Sequence, residues 1–432
     1  FMADSPSVPR AMVMSTGSEI LQGLYADSNA MNLSRLLWEK GFRVIGHQAA
    51  ADDHDLLVRG LKNTLGACEL VVITGGLGPT EDDLTRDAVA EVAGVGTRKV
   101  NRAVEMMKSR FAARGRTMPE RNLCQAYLPE GALPFLNHWG TAPGFFLPRN
   151  GDQRPAIMAL PGPPREWRNM IQRFLPRVLP YFPGRPHVFS ETIHLAMVPE
   201  SEINHAMHDL FNPGPNRELA ILCRPGHLRV RILAWGEREE EARTHGHSFR
   251  EEVRARLPED AVFAEGPGEA PLEGAVIDAF SRAGKTVTTV ESCTGGGISQ
   301  RLTNIPGSSD VLSQAFVTYS DEAKIQLAGV APETLENHGA VSEETVREMA
   351  LGGLAGSKAD VAVSVSGIAG PTGGTKEKPV GTVWFALADR TGIRVTRKEG
   401  FPGDRETVRL FSENRALDLL RRWISELPLN GG

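Results

Sequence analysis

The chain has 432 residues, 41% of them hydrophobic and 23% charged, enough for about two to four domains and too apolar for disorder throughout. Forty-eight Lys and Arg against 53 Asp and Glu give a net charge of −5, without the basic excess of a dedicated nucleic-acid binder. Cys68, Cys124, Cys223 and Cys293 form no Cys-x-x-Cys pair, and no signal peptide or run of ~20 apolar residues is present; a cytoplasmic protein with neither disulfide scaffold, zinc knuckle nor membrane span is expected.

The apolar run Ala11–Met14 enters Ser15-Thr-Gly-Ser-Glu19, and a helix is predicted near 28–40, with Leu33, Leu36 and Leu37 on one face and Gly41 ending it. A second helix carries Leu56, Leu57 and Leu61. Leu70–Ile73 then reads as a buried parallel strand, 74–80 as a glycine-rich loop, and 83–92 as a helix. Repeated strand–loop–helix units predict a doubly wound parallel sheet, with ligands at the carboxyl ends of its strands. From 176 to 258 the pattern changes: Val188–Leu195 and Leu228–Trp235 read as strands, followed by a charged helix after Gly236. Glu265-Gly-Pro-Gly-Glu-Ala-Pro271 reads as a linker.

The third region begins with a helix near Leu272–Ala283, a β-branched strand at 286–290 and the turn Glu291-Ser-Cys-Thr-Gly-Gly-Gly297. Further strands are predicted at 361–365 and 382–388, and a last helix from about Asp404 to Leu427. The predicted class is α/β: two doubly wound α/β domains, 8–175 and 272–430, joined by a small α+β module at 176–258 and a linker at 259–271.

Glycines at the 291–297 turn let a ligand approach the backbone, and amides at a helix start favour an anion or a developing oxyanion. Ser292 and Cys293 are the nucleophile candidates there. Neither a Gly-Lys-Ser/Thr nor a Gly-x-Gly-x-x-Gly motif accompanies the turn, which disfavours a nucleotide-cofactor loop. Phe316-Val-Thr-Tyr-Ser-Asp-Glu-Ala-Lys324 supplies a lysine able to serve as base if its pKa is lowered, with Tyr319 as a relay. Asp404 is placed to cap the last helix and Arg405 to meet a phosphate. Each of these stretches also has a bland reading as tight packing, a surface lysine or an ordinary capped helix.

Six motifs in order, Glu291–Gly296, Phe316–Ser320 with Lys324, Gly339-Ala-Val-Ser-Glu343, Ser366-Gly-Ile-Ala-Gly-Pro371, Lys378–Trp384 and Phe401–Arg405, resemble the carboxy-terminal domain of the competence/damage-inducible protein A (CinA) family. Gly17–Gly23 with Asp27-Ser-Asn29, Thr74–Thr80 with Asp82–Thr85, Gly140–Gly144 and Leu160–Glu166 are similar to that family's amino-terminal domain, which has the fold of molybdopterin-binding proteins. The middle then corresponds to a KH-like module, here without the Gly-x-x-Gly loop that would suit RNA. The resemblance implies a nicotinamide mononucleotide amidohydrolase with Ser292 as nucleophile, Lys324 as general base and Tyr319 assisting. Thr294, Gly295 and Gly296 would lie at the oxyanion, Arg405 at the phosphate, and no cofactor is required there.

For the amino-terminal domain the resemblance implies a metal-dependent ADP-ribose pyrophosphatase giving AMP and ribose 5-phosphate. Gly75, Gly76 and Gly78 would cradle the diphosphate, while Asp82 and Asp83 hold a divalent cation such as Mg²⁺, with Glu19 and Asp27 nearby. A homodimer is expected, with small nucleotides rather than nucleic acid or membrane as partners. The competing expectation is a competence- or DNA-damage-associated binding protein whose amino-terminal domain is not catalytic.

Overall fold

The computed structural model describes residues 8–151, 154–212 and 214–426. The chain divides into two compact units. One runs through Phe189 and adds Pro215–Arg217 and Ala234–Gly246; the other holds Ser190–Gly214, Glu218–Leu233 and the chain from His247 onward.

The first unit begins β1 (Arg10–Thr16), α1 (Ser18–Leu21), α2 (Ser28–Glu39), β2 (Arg43–Ala50), α3 (His54–Lys62), β3 (Leu70–Thr74) and α4 (Thr85–Ala93). It continues with β4 (Thr97–Lys99), α5 (Asn101–Ala112), β5 (Tyr127–Pro129), β6 (Leu133–Phe135), β7 (Gly144–Leu147), β8 (Ala156–Leu160) and α6 (Pro164–Val178). The main sheet runs β2-β1-β3-β8-β7-β6. Its first four strands are parallel, but β7 pairs antiparallel with β8 and β6 with β7, so the expected parallel sheet is a mixed one. A short loop joins β6 to β7, and a hairpin needs no crossover helix. Strand alternation accounts for the two layers: Leu70 and Val72 enter one core with Leu33, Leu37 and Trp167, Val71 and Ile73 the other with Leu57, Leu61 and Val89.

The middle segment forms β9 (His187–Ala196), α7 (Glu200–Ala206), β10 (Arg217–Arg224), β11 (His227–Gly236), α8 (Glu239–Arg254) and β12 (Val262–Gly266), with sheet order β10-β11-β9-β12. Two findings differ from the expected boundaries. Val262–Gly266 pairs antiparallel with Thr192–Leu195, so much of the expected 259–271 linker is sheet; the apolar Val262 and Phe263 take a partner in place of water. The division of the chain into units also falls within this module, inside β9 and β11.

The remainder of the second unit comprises α9 (Leu272–Ala283), β13 (Val287–Glu291), α10 (Gly297–Thr303), β14 (Leu312–Val317), α11 (Asp321–Ala328), α12 (Pro332–His338) and α13 (Glu343–Ser357). Then come β15 (Val361–Gly367), β16 (Thr382–Asp389), β17 (Gly392–Gly400) and α14 (Arg405–Ile424). Leu427, the expected end of the last helix, lies outside the described residues. The sheet order is β14-β13-β15-β16-β17, the first three parallel and the last two antiparallel additions. Val361, Val363 and Val365 face the core under α9 and α14. Asp418 and Arg422, both fully buried on α14, are paired at 2.8 Å, and Arg422 also meets Asp260 at 2.7 Å.

Candidate active site

β13 ends on Glu291, in register with Val317 of β14 and Val365 of β15, so the next residues sit at the carboxyl ends of three parallel strands. Thr318 N donates to Glu291 O at 2.7 Å and Ser292 N to Val365 O at 3.0 Å. The fully buried Glu291 carboxylate accepts from Thr294 Oγ1 (2.8 Å), Ile298 N (3.0 Å) and Ser299 N (2.9 Å). It thereby satisfies the amides that the start of α10 leaves without helical partners. Gly295 and Gly296 adopt φ of 59° and 92°, a region that L side chains resist. A Cβ at Gly297 would lie 2.2 Å from Glu413 Oε1.

Gly295 N donates to Ser292 O at 3.0 Å and Gly297 N to Thr294 O at 3.1 Å. Among the described residues the Thr294 and Gly296 amides have no such partner, so of the three residues expected at an oxyanion Gly295 alone has its amide already engaged. Ser292 is 8% exposed. Cys293 is buried, and burial pushes its thiol up to about 12, so at neutral pH it stays protonated and a poor nucleophile.

Lys324 rises from α11, whose first turn is capped by Ser320. Only 1% exposed, its ammonium donates to Thr318 O at 3.1 Å and Tyr319 O at 3.5 Å. Burial holds its pKa below the ordinary lysine value, against the pull of Asp321 at 3.7 Å. The amine thus sits at Thr318, whose own N–H is bonded to the carbonyl of Glu291, the residue before Ser292. The Tyr319 side chain points elsewhere: its hydroxyl accepts from Arg405 Nη2 at 2.9 Å, while Arg405 Nη1 donates to Gly370 O at 2.9 Å. Asp404 caps α14 through Thr407 N at 2.9 Å.

In the first unit, the loop after β3 folds on itself. Gly75 N donates to Leu160 O at 3.0 Å. Asp83 accepts from Gly78 N (2.6 Å), Thr80 N (2.9 Å) and Thr80 Oγ1 (2.5 Å). Of the three expected diphosphate-cradling glycines, only Gly76 keeps an amide without a partner among the described residues. Arg86, 5% exposed, donates from Nη2 to Gly78 O at 3.1 Å, and its buried Nη1 has no hydrogen-bond partner among the described residues.

The expected metal pair does not fit. Asp83 spends its carboxylate closing the loop, Asp82 is exposed, and Asp27 caps α2 through Ala30 N at 2.9 Å. Among the described residues no group of three or more His, Cys, Asp or Glu side chains is placed to hold a metal ion. No helix there is long and apolar enough to cross a membrane.

Three family domains match in chain order: the probable molybdopterin binding domain over residues 12–180, the damage-inducible protein CinA KH domain over 190–264 and the CinA C-terminal domain over 269–424. The chain is 37% identical to a putative competence-damage inducible protein of Acetivibrio thermocellus, covering 96% of this chain and 99% of that one. This chain belongs to the CinA family. A CinA-like protein of Akkermansia muciniphila is 38% identical over 94% of this chain and 96% of its own length. The crystal structure of competence/damage inducible protein CihA from Agrobacterium tumefaciens is 44% identical and covers 34% of this chain and 91% of its own, with a TM-score of 0.34.

Two residues that hold the candidate turn escape a reading of the sequence alone. Glu291 stands inside a quoted motif, yet only its buried position reveals it as the clamp of the turn. Arg409, one helical turn after Arg405, donates from Nη2 to Thr294 O at 2.7 Å and so also holds the turn. The spacing of two arginines four residues apart on α14 was the available signal.

Proposed function

We propose that the site around Ser292 hydrolyses the carboxamide of nicotinamide mononucleotide to nicotinic acid mononucleotide and ammonia. The observation that carries this reading is the buried Lys324, its pKa lowered by burial, delivered to the turn that bears Ser292. In the proposed sequence Ser292 Oγ attacks the carboxamide carbon while its proton passes to neutral Lys324. The Thr294 and Gly296 amides stabilise the oxyanion. Lys324 returns the proton to the departing nitrogen, and water then cleaves the ester left on Ser292. Arg405, beside Tyr319 at the start of α14, is assigned the phosphate.

Ammonia release from nicotinamide mononucleotide by wild type, Ser292→Ala and Cys293→Ala tests this directly. Loss in Ser292→Ala with activity retained in Cys293→Ala is expected. Well-folded wild type that releases no ammonia would sink the proposal.

For the first unit we propose hydrolysis of the diphosphate of ADP-ribose to AMP and ribose 5-phosphate. Its support is the Gly76 amide and the unpartnered buried Arg86 Nη1 beside the same loop. The loop carboxylates do not form a coordination set, so no step is assigned to a protein-held metal. AMP release is measured with and without EDTA: AMP formed in EDTA removes the metal, and none in either condition removes the activity. Gly76→Ala is expected to abolish it, since φ is 63° and a Cβ would lie 2.2 Å from Thr85 Oγ1.

A further inference from the structure

A cluster of basic side chains lies in the first unit, away from the Gly75–Thr80 loop. A cavity of about 180 Å³ has Pro134, Leu136 and Phe174 as its floor, with Arg102, His138, Arg173 and Arg177 around it. The pocket brings together the start of α5, the edge strand β6 with its following loop, and the last turns of α6. No carboxylate lines it. The one acid of α6, Glu166, is engaged at 2.6 Å by Asn137. None of the three guanidinium groups makes a hydrogen bond or ion pair with another described residue.

Unpaired like charges repel, and here two of them are held near one aromatic ring. The Arg173 and Arg177 guanidiniums lie 5.8 and 5.6 Å from the centre of the same Phe174 ring. Phe174 is buried and stacks at 4.5 Å on Phe135. These two cations line the same cavity as a third, Arg102, and no carboxylate is among its lining residues. This is the donor arrangement that a phosphoryl group satisfies bidentately.

We propose that this pocket is an anion site for a phosphate group, separate from both proposed catalytic centres. Its volume is below the roughly 300 Å³ at which drug-sized ligands are enclosed, so it takes one phosphoryl group and not a whole nucleotide. In the order β3-β8-β7-β6, the β6 edge is three strands, roughly 14 Å, from the strand that carries the Gly75–Thr80 loop. One phosphate cannot serve both places. The phosphate could be free or the terminal group of an ester.

Calorimetric titration of the full chain tests the proposal. A background combining Arg405→Gln with Gly76→Ala removes the phosphate contacts of both proposed catalytic centres, and the probes are inorganic phosphate and AMP. Combining Arg173→Gln with Arg177→Gln is expected to weaken phosphate binding about tenfold or more, with an unchanged urea midpoint. Arg165→Gln, exposed on the same helix and outside the pocket, should leave binding intact. Binding of inorganic phosphate identifies a free-anion site, whereas binding of AMP alone identifies an ester site. Equal affinity in the double variant, or equal weakening by Arg165→Gln, would overturn the proposal. So would duplex DNA that binds in place of phosphate and loses affinity in the double variant. Should the double variant unfold early, Arg102→Gln alone must show the weakening.

Discussion

At Ser292 and Lys324 the chemistry depends on where one proton resides. A lysine accepts a proton only when neutral, and burial lowers the pKa of Lys324 from its ordinary 10.5. The kcat for ammonia release should therefore rise with pH and level off below that value. Lys324→Arg should lose about 10²–10⁴-fold and lack this limb, as a steady-state pH profile would show. The sign for stability follows from the same shift. Between the lowered folded pKa and 10.5 the unfolded chain binds more protons, so stability contributed by Lys324 grows as pH rises through that window. Cys293 carries the opposite lesson: its burial favours the neutral thiol, so proximity to the turn does not make it reactive.

At the scale of elements, β9 and β11 are joined by a histidine pair. His194 Nδ1 lies 3.1 Å from His227 Nε2, and His194 Nε2 meets Gly268 O at 3.2 Å. Burial, then His194 and Arg229, bring the His227 pKa from 6.5 to about 4. Its stabilising contribution is thus present above pH 6.5 and lost as pH falls toward 4. That loss is at most about 3 kcal/mol, of which about 2 kcal/mol should appear between roughly pH 7.5 and 5. Urea unfolding at the two pH values should show the difference in wild type and a smaller one in His227→Gln. The turn glycines and helix caps act at the same scale: Asp27, Asp53, Ser320, Ser342 and Asp404 each start a helix by accepting a backbone N–H.

For the molecule as a whole, the two proposed activities rest on residues of different compact units. Ser292→Ala should abolish ammonia release and leave AMP release from ADP-ribose within about twofold of wild type, since substitutions without shared partners act additively. Gly76→Ala should do the reverse. Assaying both products on each variant checks this, and loss of both activities in a folded Ser292→Ala protein would defeat the separation.

The helices at 28–39, 54–62 and 272–283 were legible from apolar spacing and, for the first, from Gly41, because a helix records contacts three and four residues away. Buried runs such as Leu70–Ile73 and Val361–Val365 marked the central strands for a similar reason. The antiparallel strands β6, β7 and β17 were not legible: direction within a sheet is set by which partner the chain returns to, and periodicity is blind to it. The same holds for Val262–Gly266, whose flanking Gly and Pro signalled a linker until β9 supplied a partner. In the candidate site, the sequence by itself determined a glycine turn with Ser292 at a strand end and a lysine downstream. Only the tertiary structure decided that Lys324 is buried beside that turn, that Tyr319 faces Arg405 across 86 residues, and that Arg409 closes on Thr294 across 115. Strand order brings these groups together, and strand order depends on contacts far apart in the chain that no local pattern encodes.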